Sequence, residues 1–127
     1  MNKKNQRPVF LNLTKISLPV TGVVSIFHRL SGLFLALSIP LLIYLFDLSL
    51  RSAQGFSEAQ QLLQLPLLKL LLTVGAWALA HHLVAGIRFL LIDLDIGVLK
   101  TAARRSAWIT HGLTTLILLL AIVVIWL

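Results

Sequence analysis

The chain has 127 residues, 58% of them hydrophobic and only 12% charged, with a formal net charge of +7 and no cysteine. Soluble domains carry about 25% charged residues, so this chain cannot cover an apolar core with a polar surface, and its solvent is mostly lipid. The absent cysteines exclude disulfides, thiolate metal sites and iron–sulfur ligation by this chain, and without basic patches interleaved with aromatics it is not a nucleic-acid binder.

The first 20 residues hold Lys3, Lys4, Arg7, Lys15 and two prolines. No short apolar run with a small-residue cleavage site follows Met1 to Gln6, so they do not read as a signal peptide; they are too short for a mitochondrial transit peptide, and the chain reads as bacterial. They are expected to lie along the membrane surface. A hydrocarbon core of ~30 Å needs roughly 20 apolar residues in a helix, and three runs qualify. The first runs from about Val23 to Leu50 and contains Pro40, which should kink it. The second runs from about Leu65 to Ile92. The third runs from about Ala107 to Leu127 and contains no Asp, Glu, Lys or Arg. Residues 51–64 are expected to form a turn with Ser57 as an N-cap, and residues 93–106 a loop holding Lys100, Arg104 and Arg105. The predicted fold is all-α: one integral membrane bundle of three transmembrane helices with an N-terminal interfacial segment over residues 1–20. Four Lys/Arg precede the first span and three lie in the 93–106 loop, against Arg51 alone in the 51–64 loop. The positive-inside rule then puts the N-terminus in the cytoplasm and the C-terminus outside.

Polar side chains within the hydrocarbon are costly and tend to mark function. On the first span Ser25, Arg29, Gly32 and Ala36 share one face at ~100° per residue, with His28 beside them. Either Arg29 snorkels to lipid phosphates and the serines bond back to their own helix, or this face binds something; snorkelling alone does not account for four polar groups together. On the second span His81 and His82 are adjacent. Gly75, Ala78, Ala85 and Gly86 lie within about 60° of His82 on a helical wheel, leaving a flat recess of the kind a planar macrocycle needs. His81 shares its face with Val74, Trp77 and Arg88. Neutral imidazole is a common axial ligand of haem iron, whereas small residues also serve close helix packing; on these residues alone both readings stand. Asp47 is expected to snorkel, His111 lies about one turn into the third span, and Tyr44, Trp77, Trp108 and Trp126 include interface anchors. No motif suggests a nucleophile, a phosphate loop or a carboxylate pair.

Arg7-Pro8 with Leu11-Asn12-Leu13, then Ser25-x-x-His28-Arg29-x-Ser31-Gly32, then His82-x-x-x-Gly86-Ile87-Arg88, closely resembles the cytochrome b membrane-anchor subunits of succinate dehydrogenase. The resemblance spans nearly the whole chain. It implies an anchor subunit that helps pass electrons from an iron–sulfur subunit to quinone in the tricarboxylic acid cycle and respiratory chain. It implies a flavoprotein subunit, an iron–sulfur subunit and a second small membrane anchor as partners, in a bacterial inner membrane. It also implies haem b between the two anchors, with His82 as the axial ligand from this chain and the second ligand from the partner. By the same resemblance Ser25 and Arg29 belong to the ubiquinone site, and His28 and Arg29 lie near the haem propionates. The chain departs from the pattern at Phe89, where many members carry a second histidine. The alternatives are a fumarate reductase anchor, which runs the same couple in reverse, and a cofactor-free structural or assembly protein.

Overall fold

The computed structural model describes residues 17–127. It consists of four α-helices in chain order: α1 (Val20–Arg51), α2 (Ala53–Leu63), α3 (Pro66–Asp93) and α4 (Lys100–Trp126). The expected surface segment falls outside the described residues up to Ile16, as do Arg7-Pro8 and Leu11-Asn12-Leu13. Three helices, α1, α3 and α4, are long and apolar enough to cross a membrane. At ~1.5 Å per residue even the 27-residue α4 reaches roughly 40 Å, beyond the ~30 Å hydrocarbon core. The chain is an integral membrane protein. Its wide apolar surface is made of large side chains such as Leu37, Phe46, Leu90 and Val124, all exposed.

The interior is built from small residues. Val24, Ala85 and Ala107 are fully buried, one from each spanning helix, with Val20 and Phe89 packed around them. Ala78 and Ala80 are also buried. Small side chains let the backbones approach closely, and in lipid that close packing drives association where hydrophobic burial cannot. Helix α3 packs on both α1 and α4.

Two connections differ from expectation. The 51–64 segment is mostly the helix α2, capped by Ser52, whose hydroxyl accepts from the Gly55 amide at 3.0 Å, and not by Ser57. Its buried face is only Gly55 and Ala59, so its composition resembles a loop. It folds back on α1, and a Cβ at Gly55 would run into the backbone carbonyl of Leu48, so glycine is needed there. The 93–106 segment is only partly a loop, because α4 begins at Lys100 and carries Lys100, Arg104 and Arg105 in its first two turns. Helix α3 ends in a Schellman motif: Ile96 N–H bonds Leu91 carbonyl and Asp95 N–H bonds Ile92 carbonyl, both at 2.9 Å. Asp95 takes the left-handed position (φ 60), which a short polar side chain tolerates.

Proline 66 opens α3 at its first turn, where a missing N–H costs nothing. Pro40 stands inside α1, which continues through it. Asp47 does not snorkel alone; it pairs with Arg51 one turn later. At the other end of the chain, Trp126 Nε1 donates to Thr73 Oγ1 at 3.0 Å and ties α4 to α3.

Candidate histidine site between the first and third helices

The two adjacent histidines of α3 have opposite fates, since a helix turns ~100° between neighbours. His81 faces inward and is fully buried. Phe27, Trp77 and His111 surround it, with ring centroids 5.8, 5.3 and 5.7 Å away. Neither of its ring nitrogens has a hydrogen-bond partner among the described residues. No molecule outside the chain can reach it.

His82 faces the seam between α1 and α3 and is only partly buried. Its Nδ1 lies 3.1 Å from the backbone carbonyl oxygen of His28. A carbonyl can only accept, so Nδ1 is the donor in this contact, and no described residue bonds Nε2. That tautomer is the one an imidazole needs to bind a metal through Nε2, and a backbone carbonyl is a common outer partner for such a ligand. Ser31, itself buried, donates its hydroxyl to the same carbonyl at 2.9 Å. The His28 ring stacks on His82 with centroids 4.2 Å apart and an 8° tilt.

Gly32 makes this contact possible. A Cβ at Gly32 would stand 2.8 Å from His82 Cε1 and 3.2 Å from Nδ1, and one at Gly86 would stand 3.4 Å from His28 Nε2. The small face around His82 is therefore not an open recess. Ala78 and Ala85 are buried, Gly75 faces Phe34, and Gly86 receives His28. Helix α1 lies over Gly75 and Gly86, while no described residue bonds Nε2 of His82. The residues present fit a haem-type ligand in one respect: His82 donates through Nδ1 to a backbone carbonyl, which leaves Nε2 as the atom that would bind a metal. His28 cannot supply the opposite ligand, because its ring lies parallel against His82.

The first-span face divides likewise. Gly32 is taken up by His82. Ser25 is half-buried, and Arg29 and Ala36 are exposed. Ser31, Ser38 and Ser49 all donate back to carbonyls of α1. Ser25 makes no such bond among the described residues, and Arg29 forms no ion pair among them. Back-bonding thus accounts for three serines and leaves the Ser25 hydroxyl available one turn from a cation.

Two features were not legible as site residues. Arg88, buried, donates through Nε to Ser106 Oγ at 2.9 Å and through Nη2 to Ala103 carbonyl at 3.1 Å, clamping α3 to α4. Phe89 stands edge-on to His28, with centroids 5.2 Å apart, and packs on the core cluster. Ser31 and Gly32 were visible in sequence only as neighbours of His28; their roles depend on how α1 and α3 are aligned. His111 lies against His81 and Trp108, away from His82.

Residues 3–125 match the family described as succinate dehydrogenase/fumarate reductase transmembrane subunit. The chain is 39% identical to the succinate dehydrogenase cytochrome b556 subunit of Coxiella burnetii, over 99% of this chain and 100% of that protein. It is 30% identical to the subunit of the same name from Paracoccus denitrificans, over 82% of this chain and 80% of that protein. With the one from Rickettsia typhi it shares 28% identity over 82% and 81%.

Proposed function

The chain belongs to the succinate dehydrogenase/fumarate reductase transmembrane subunit family, and from that premise we propose that it is the membrane-anchoring, haem b-binding subunit of a bacterial succinate dehydrogenase. The relatives above are all named for succinate dehydrogenase and for a cytochrome b556. Those names favour this reading over a fumarate reductase anchor and over a cofactor-free assembly protein. The subunit sits in the inner membrane with a flavoprotein, an iron–sulfur subunit and a second small anchor. Its N-terminus is cytoplasmic and its C-terminus periplasmic, with Lys100, Arg104 and Arg105 on the cytoplasmic side.

The observation that carries the reading is the 3.1 Å approach of His82 Nδ1 to the His28 carbonyl oxygen, which favours a proton on Nδ1 and leaves Nε2 for a ligand. His82 would hold the haem iron. The His28 carbonyl and Ser31 fix the plane and the proton of that ring, and Gly32 gives it room. When bound, haem b supplies one-electron redox chemistry at an iron whose potential is set by its axial ligands and surroundings. A second ligand to the iron would come from the partner anchor. His28 and Arg29 would serve the haem propionates, His28 as a hydrogen-bond donor and Arg29 as a cation.

Ser25 and Arg29 serve the ubiquinone site. Reduction of a quinone develops negative charge on its carbonyl oxygens, so the site needs donors placed there. Ser25 brings a hydroxyl not engaged by its own helix, and Arg29 a cation that stays charged at the membrane boundary. One turn apart on α1, both can approach one head group.

The test uses the purified four-subunit complex. His82→Ala is expected to abolish the haem b α-band in the dithionite-reduced minus oxidised spectrum. His81→Ala is expected to keep it, because that ring is sealed inside the chain. The reverse pattern in two assembled complexes would overturn the assignment.

A further inference from the structure

The described residues line an open cleft of about 830 Å³ where α1 and α4 both begin. Lys100 and Arg104 line it one turn apart, with Trp108 a further turn along the same face of α4 and Ser17, Val20 and Val23 on the α1 side. Its walls thus pass from two cations and the hydroxyls of Ser17 and Thr21 near the head of the helices to valines, an indole and the His111 imidazole deeper in. Both helices start without a side-chain cap, so unsatisfied first-turn amides add partial positive charge to the same end. Among the described residues neither Lys100 nor Arg104 is in an ion pair.

We propose that this cleft holds an anionic phospholipid, its phosphate between Lys100 and Arg104 and its glycerol and upper acyl chains along Val20, Val23 and Trp108. The gradient of the walls, charged at the head of the helices and mostly apolar below, with Leu18, Val20, Val23 and the Trp108 ring among the lining side chains, matches such a lipid. Trp108 is 60% exposed and sits at interfacial depth, where amphipathic rings gather. Basic pockets between transmembrane helices are a recurrent setting for anionic head groups. Each cation near such a surface strengthens binding about fivefold, and two together about thirtyfold.

The test is native mass spectrometry of the detergent-purified complex, delipidated and then titrated with phosphatidylglycerol or phosphatidylethanolamine. Wild-type complex is expected to retain phosphatidylglycerol in preference to phosphatidylethanolamine. Lys100→Gln/Arg104→Gln is expected to lose that retention by about thirtyfold, with an unchanged haem spectrum as the measure of intact assembly. Lys69→Gln at the far end of α3 is expected to retain the lipid as wild type does. Equal retention of both lipids by wild type, or undiminished phosphatidylglycerol on the double variant, overturns the proposal. Should the double variant fail to assemble, Arg104→Lys, expected to retain the lipid, and Arg104→Ala, expected to lose it about fivefold, decide the matter; equal retention by these two also overturns it.

Discussion

Gly32→Ala is the smallest change that should disturb His82 without touching it chemically. The added Cβ would stand 2.8 Å from His82 Cε1. Ordinary carbon contacts lie at about 3.5–4.0 Å, so the ring or the helix must retreat by about 0.7–1.2 Å. If the ring yields, Nδ1 moves from 3.1 Å to about 3.8 Å or more from the His28 carbonyl, past the ~3.2 Å reach of an N–H···O bond. The lost bond costs about 1 kcal/mol. Overpacking of the α1–α3 seam costs about 1–3 kcal/mol more. Gly86→Ala is the matched control, since its Cβ would meet His28 Nε2 at an ordinary 3.4 Å. Both variants are purified as complex and assayed for haem per flavin, haem midpoint potential and the temperature at which the α-band is lost. Gly32→Ala should lower haem occupancy or shift its potential and reduce thermal stability, and Gly86→Ala should change little. Wild-type haem content, potential and stability in Gly32→Ala, with damage confined to Gly86→Ala, would refute the account of how His82 is seated.

Three further outcomes are expected. Ser25→Ala and Arg29→Leu should sharply lower succinate–ubiquinone activity yet spare succinate oxidation with an artificial acceptor that draws electrons upstream; unaltered ubiquinone rate and apparent affinity in both assembled variants would remove them from the quinone site. Alkaline phosphatase fused after Leu127 should be active, and a reporter active only in the cytoplasm should be silent there; the opposite result inverts the topology. Gly55→Ala should destabilise the complex by about 1–3 kcal/mol, read as earlier thermal denaturation with an unchanged haem spectrum, because its Cβ meets the rigid Leu48 backbone carbonyl; an unchanged melting profile would show that α2 is free to shift.

The three spans were legible because each is a long apolar run, and lipid demands both length and apolarity. The connections were not, for two separate reasons. Helix α2 has a short buried face of Gly55 and Ala59 amid glutamines and serines, so no apolar periodicity announces it. The first two turns of α4 hold Lys100, Arg104 and Arg105, which favour helix but send no membrane signal. The N-cap followed the same logic: Ser52 and Ser57 are equally good caps by type, and only the packing of Gly55 against Leu48 selects Ser52.

At the site, residue chemistry could be read one helix at a time, but pairing could not. The small residues near His82 predict a close neighbour without saying whether it is a macrocycle or a helix, and helix α1 lies over Gly75 and Gly86. What distinguishes the two histidines is the partner each finds across a seam. His81 is ringed by Phe27, Trp77 and His111 and has no partner for either nitrogen. Burying an unbonded polar group costs free energy, which the edges of aromatic rings offset only weakly. Its place follows from helix periodicity: turning His82 toward α1, where His28 carbonyl can fix its proton, turns the preceding residue ~100° away into the interior. An orphaned imidazole beside a fully oriented one is therefore what a helix shows when its rotation is set by the second histidine and the first is carried along. On that argument the position of His81 tolerates an apolar ring of similar size, whereas the position of His82 does not.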